Sequence, residues 1–264
     1  MPISIDSGPQ YQGAPGWSAL ARPAGLVVSP LLVIQGKLVR RSRQRLPNAS
    51  EPWSGAIEGP RPIRVMGLGD STIAGVGVKD ARDGLTAQIS RELSRALGRG
   101  VRYDSIGERG ITSTTLLRSY LPRLDEVEPG LDWVVLSIGA NDAKSLVASQ
   151  KTFEAVSATL DTIHAHSPEA VIMVSSLPAF RYFRSLPQPL RGVMSGHAQQ
   201  MEARLRPEVE SRPYAFMSRP PRHYPPEFFA SDGFHPGVEG YRLWAGFAID
   251  DARERGALAH LEAR

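Results

Sequence analysis

From Arg61 onward the chain alternates short, continuously apolar runs with longer segments whose apolar residues recur every three or four positions. Ile63-Arg64-Val65-Met66-Gly67 predicts a first strand and Val101 to Ser105 a second. Trp133-Val134-Val135-Leu136-Ser137-Ile138 and Val171-Ile172-Met173-Val174 read as strands buried on both faces, and a short strand is expected near Tyr214 to Met217. Leu85, Ile89, Leu93 and Leu97 form the stripe of a helix that Gly98 ends, and Phe153, Val156, Leu160 and Ile163 form another. Further helices are expected after Pro189 and from Gly237 past Trp244. Strands alternating with helices make right-handed βαβ units, so the pattern predicts a three-layer α/β domain on a mainly parallel, five-stranded sheet. In such a sheet ligands meet the carboxyl ends of the strands, which is where chemistry is sought.

Residues 1–60 have a different texture. Pro, Gly and Ser recur through Trp17 and again from Pro47, and between them Val27, Leu31, Ile34 and Leu38 fall at helical spacing, with Pro30 placed for a helix start. Arg40, Arg41, Arg43 and Arg45 follow. This stripe fits a helix docked on the body, or one lying on a membrane surface through residues 26–45 with its arginines at anionic headgroups. The first reading is preferred, because amphipathic helices of soluble proteins usually turn their apolar face to a core. The expected organisation is an N-terminal extension, 1–60, packed on a single domain, 61–264.

Composition narrows the function classes. The chain has 264 residues and no Cys, which excludes disulfides, thiolate metal sites and a cysteine nucleophile. Its net charge of +4 is small for this length, and the arginine cluster lacks interleaved aromatics, so no nucleic-acid partner is expected. The amino terminus stays polar through Gln12, and the run from Leu26 to Ile34 falls short of the roughly 20 residues of a spanning helix. A cytoplasmic protein is expected.

Three segments at strand ends carry candidate chemistry. Gly67-Leu68-Gly69-Asp70-Ser71-Thr72 places a serine on a strand-to-helix turn, where it can be a nucleophile or a helix cap. Among the six histidines, His235 stands apart: Asp232 precedes it by three residues and Pro236 follows it. A carboxylate at that spacing can hold Nδ1–H and aim Nε2 at a serine, although a surface Asp–His pair at a helix start has the same spacing. His164 and His166 read as a solvated helix end, His197 and His260 as exposed, and His223 as a loop residue without an acid nearby. Asn141, after Gly139-Ala140, can project an amide into a site or make an Asx turn. Within Ser105-Ile106-Gly107-Glu108-Arg109-Gly110, a glycine N–H can point inward or belong to an ordinary turn.

Taken together these blocks resemble the SGNH hydrolases, the GDSL-type esterases and lipases. Gly69-Asp70-Ser71 matches the nucleophile block, Gly139-Ala140-Asn141-Asp142 the Gly-x-Asn-Asp block, and Asp232-Gly233-Phe234-His235-Pro236 the Asp-x-x-His block, in the family's order. Two positions depart: Thr72 replaces the usual leucine, and Ser105 stands where Asn often precedes the glycine block. Gly110, before Ile111-Thr112, matches the oxyanion glycine better than Gly107. The resemblance implies a flavodoxin-like fold and a carboxylic-ester hydrolase of short- to medium-chain acyl esters, with a small-molecule ester as partner. It implies Ser71 as nucleophile, His235 as base, Asp232 as its orienting acid, and Ser71, Gly110 and Asn141 as oxyanion donors, without metal or cofactor. Phe180-Arg181-Tyr182-Phe183-Arg184 and Phe228-Phe229 can line an acyl pocket, with the arginines near an acidic leaving group, or serve as core. Carbohydrate O-deacetylation and lysophospholipid hydrolysis are the alternative activities, and a silent binding or membrane-docking protein the non-enzymatic one.

Overall fold

The computed structural model describes residues 16, 18–42, 44–221 and 224–263. Two helices, α1 (Ser18–Val27) and α2 (Ser29–Ser42), precede the sheet. Its strands are β1 (Gly55–Ile57), β2 (Ile63–Gly69), β3 (Val101–Gly107), β4 (Trp133–Ser137), β5 (Val171–Val174) and β6 (Ala215–Met217), in the spatial order β1-β3-β2-β4-β5-β6. From β3 to β6 every pairing is parallel, so the crossovers run through helices. The sheet has six strands rather than five. The extra strand, β1, lies within the first sixty residues and pairs antiparallel with β3 at the edge. Three residues between Gly and Pro turns carry too little periodicity to register in the sequence.

Both faces of the sheet are covered. On one side α3 (Leu85–Leu97) sets Ile89 and Leu93 against Val65 and Trp133, with Tyr241 and Ile249 beside them. Gly98 ends α3 in the left-handed region at φ 62°, as a helix-stopping glycine does. A helical turn, α4 (Ser113–Thr115), and a short helix, α5 (Ala140–Lys144), lead to the other side. There α6 (Ser149–His166) buries Val156, Leu160 and Ile163, and α7 (Leu190–Glu210) buries Met194, Met201 and Leu205. The chain closes with α8 (Val238–Glu254) and the short α9 (Ala259–Glu262). All five residues of β4 and all four of β5 are buried, as continuous apolar runs require in a doubly covered sheet.

The extension departs from the expected packing. Val27, Leu31, Ile34 and Leu38, the stripe expected to face the body, are 82%, 46%, 56% and 58% exposed. The inward face is the neighbouring stripe, one residue on and about 100° around the helix. Leu32 joins the core, with Val28 and Val39 packed beside it. In α1, Ala21 and Gly25 are buried, and a Cβ on Gly25 would come within 2.7 Å of Val193 Cγ1 in α7. Polar groups fix this choice of face. Gln35 Nε2 donates to Gln188 O at 2.7 Å while its Oε1 accepts the Leu190 N–H at 3.2 Å, and Arg22 Nε donates to Leu146 O at 3.1 Å.

Candidate active site

The Ser71 turn is built by close approach of strand ends. Gly69 has φ 153°, and a Cβ there would sit 1.9 Å from Ser137 O, so only glycine lets β2 finish against β4. Ser71 follows two residues later. It does not open an α-helix, as the strand-to-helix expectation required: residues 71–77 form consecutive turns, closed by Ala74 N–H to Asp70 O and Val76 N–H to Ser71 O, and α3 begins only at Leu85. The helix expected to start at Ser71 thus starts fourteen residues later.

The Asp232–His235 loop is held against this turn. Gly77, at φ 111°, faces Pro236 O so closely that a Cβ would lie 2.1 Å from it, and Tyr241 Oη donates to Val76 O at 2.8 Å. These contacts bring two segments more than 150 residues apart into register. His235 Nε2 lies 3.2 Å from Ser71 Oγ, and His235 Nδ1 lies 2.6 Å from Asp232 Oδ2. The other Asp232 oxygen, Oδ1, accepts the N–H groups of Phe234 and His235 at 2.9 and 3.0 Å. Burial works to raise the Asp232 carboxyl, but the His235 hydrogen bond and charge and these two amides outweigh it and hold it below the usual range.

Asn141, the second residue of α5, turns its Nδ2 toward Ile111 O at 2.9 Å and Asp70 Oδ2 at 3.4 Å. That contact sets the Gly110-Ile111 loop beside the amide, and Gly110, at φ 86°, has open space where a Cβ would be. Gly107 is differently employed. Paired with Gly69 across the sheet, it has Ile73 Cγ2 and Ala74 N at 2.9 and 3.0 Å from its Cβ position, so it is a spacing residue under the Ser71 turn. Buried Asp142 braces the same loop. It accepts from Ser113 N–H at 2.9 Å, Ser113 Oγ at 2.6 Å and Thr152 Oγ1 at 3.1 Å.

These residues fall within one domain family. A model of the GDSL-like lipase/acylhydrolase family matches residues 68–243. The chain belongs to this family. It is 27% identical over 195 residues to a GDSL-like esterase of Mycobacterium tuberculosis, a match that covers 71% of this chain and 61% of that protein. Its fold is similar to that of a lipase from a goat rumen metagenome (TM-score 0.57, 18% identity, covering 74% of this chain and 97% of the other). It is also similar to TesA (TM-score 0.55, 18% identity, 72% and 98%).

Within this GDSL-like domain the other described histidines are engaged or buried away from Ser71. His197 and His260, expected to be exposed, are buried. Burial lowers the pKa of His197, and its Nε2 lies 2.7 Å from Val147 O. His164 stacks on Tyr214 with ring centroids 3.7 Å apart, and His166 Nε2 lies 2.9 Å from Val127 O. His223 lies outside the described residues, as do Arg43 and the Arg40 side chain.

Two cavities meet at His235. The smaller, about 60 Å³, is lined by Ser71, Thr72, Phe183, Phe228, Phe234 and Trp244 among others. The larger, about 640 Å³, runs under α2, with an apolar wall that includes Leu32, Val39, Leu190 and Met194. Its cations are Arg45, Arg109 and Lys144. Arg181 and Arg184, which one of the two readings set near a leaving group, are exposed and line neither cavity, and Phe180 is core as the other reading has it. Lys144 is the residue that sequence reasoning passed over. Its Nζ donates to Asn141 Oδ1 at 2.6 Å, which fixes the amide with its Nδ2 side away from the lysine. The only signal for it is its position three residues after Asn141, one turn on along a helix. Asp70 is the other. Burial pushes its carboxyl up to about 6, despite the Thr72 hydrogen bonds and the charge of Lys144 that pull it down.

Proposed function

We propose that the protein is a serine carboxylesterase acting through an acyl-enzyme. The observation that carries this reading is the continuous contact from Asp232 through His235 to Ser71, at 2.6 and 3.2 Å. His235 Nε2 takes the Ser71 proton as Oγ bonds to the acyl carbon, and the imidazolium is stabilised by Asp232 at Nδ1. Collapse of the tetrahedral intermediate breaks the ester C–O bond, and His235 returns the proton to the departing alkoxide. Water then repeats the sequence on acyl-Ser71, with His235 as base, releasing the acid. The Ser71 and Gly110 N–H groups and the Asn141 amide stabilise the oxyanion, Asn141 by exchanging its Ile111 or Asp70 contact for the substrate oxygen.

Cavity sizes support an assignment of the two halves of the substrate. The small cavity touches Ser71 and suits a short acyl group, and the wide one suits a larger alcohol portion. A second reading, a lysophospholipase, is favoured by one observation: the wide cavity combines an apolar wall with Arg45, Arg109 and Lys144. Hydrolysis of p-nitrophenyl esters from acetate to decanoate, together with lysophosphatidylglycerol, tests both. Short esters should be cleaved fastest by the native protein and not at all by Ser71→Ala. A rate rising with acyl length would place the acyl chain in the wide cavity instead.

A further inference from the structure

We propose that the outer face of the α1–α2 hairpin is a docking surface for an anionic phospholipid bilayer, whichever ester the domain cleaves. Seven of the nine large hydrophobic side chains exposed among the described residues lie on this hairpin: Leu20, Val27, Leu31, Ile34 and Leu38, together with Leu26 and Val33, which border the wide cavity. A concentration of that kind marks an interaction surface, since single exposed apolar residues are ordinarily scattered. The charge around it has one sign. Residues 7–50 contain no Asp or Glu but carry Arg22, Lys37, Arg40, Arg41, Arg43 and Arg45, of which Lys37, Arg41 and Arg45 are exposed. Pairing two copies through this face would set cations against cations. An anionic lipid surface complements both the apolar residues and the charge.

The hairpin is seated on the surface rather than inserted across it. No single helix among the described residues is long and apolar enough to cross a membrane; α1 and α2 reach that length and apolarity only as a pair, and the pair is bent by 89°. Their inner faces are also committed to the body, through Ala21 and Gly25 against α7 and Leu32 in the core. Because Leu32 and Val39 line the wide cavity, docking sets that cavity one helix diameter, about 10 Å, from the lipid.

Flotation of the full chain with phosphatidylcholine vesicles, with and without phosphatidylglycerol, tests the surface. Binding is expected only to the anionic vesicles and should weaken with salt, since screening shortens to about 8 Å at physiological ionic strength. Ile34→Asp/Leu38→Asp, which changes exposed residues outside both cavities, should abolish binding and leave melting and hydrolysis of a soluble ester unchanged. Lys37→Gln/Arg41→Gln should weaken binding about 25-fold, roughly fivefold for each cation removed. The proposal is overturned if the native chain stays with the protein-only fraction while hydrolysing soluble ester. It is equally overturned if the aspartate variant still floats, or if light scattering shows a dimer that this variant disperses.

Discussion

At the centre of the sheet, β4 and β5 bury every residue they contain, whereas α2 buries Leu32 and leaves Leu31, Val33, Ile34 and Leu38 exposed. Both segments are rich in branched apolar residues, so hydrophobicity alone does not separate them. The difference lies in what covers each. The strands have helices on both faces, while α2 carries two adjoining apolar stripes about 100° apart and rests on α1 and α7 along one of them. Val27-Leu31-Ile34-Leu38 and Val28-Leu32-Gln35-Val39 have the same spacing, and either stripe satisfies the helical period. The inward choice falls to the stripe carrying Gln35, whose amide meets both Gln188 and Leu190. A polar residue in the stripe counts against burial in pattern reading, yet here it is the residue that ties the helix down.

The active-site edge should respond to substitution in rate and the inner face of the hairpin in stability, and graded variants sharpen that contrast. Asp232→Asn should have the largest effect, roughly 10⁴-fold in kcat as in serine proteases, because the wrong imidazole tautomer then faces Ser71. Melting should change little by comparison, and near-native turnover would mean that another group orients His235. Asn141→Ala should lower kcat roughly 10²–10³-fold with KM little altered, since its oxyanion contact forms in the transition state. Lys144→Met should move kcat in the same direction by less. Full activity in Lys144→Met would show that Ile111 O alone orients the amide.

On the stability side, Asp70 gives a pH signature. Its folded pKa of about 6 lies above the ordinary 3.8, so the folded state holds a proton more tightly than the unfolded one. That contribution is fully present below pH 3.8 and is lost as pH rises through 6. Two units correspond to about 3 kcal/mol. Asp70→Asn should therefore be more stable than the native protein above pH 6, with the advantage shrinking toward pH 4. A constant offset across that range in thermal melts would contradict the shift. The smallest effects separate the two faces of α2. Leu32→Ala should cost about 2–5 kcal/mol, and Leu31→Ala, on the outer face, should stay within about 0.5. Equal costs would mean that the outer stripe is covered.

The five parallel strands were legible as short apolar runs and α3 and α6 as stripes at helical spacing, and β5 ends on the residues the pattern marks, Val171 and Val174. Ser71, Asn141, Asp232 and His235 were legible as motifs at strand ends. What escaped had no local pattern. β1 is too short to show alternation, and the burial of His197 and His260 depends on what packs over their helices rather than on their neighbours in sequence. The turns after Ser71 replace a helix start because Gly75 and Gly77, both at positive φ, redirect the chain toward the Pro236 loop. Lys144 escaped because its role exists only through the rotamer of Asn141.

The central claim is that Ser71 is the one activated hydroxyl of this domain, made so by His235 and Asp232. Intact-mass analysis after fluorophosphonate treatment, with the adduct located by peptide mapping, tests it directly. The expected result is one phosphonyl group per chain on Ser71, absent in Ser71→Ala and strongly slowed in His235→Ala. Labelling of a different serine, or labelling of Ser71 at the same rate without His235, would contradict it.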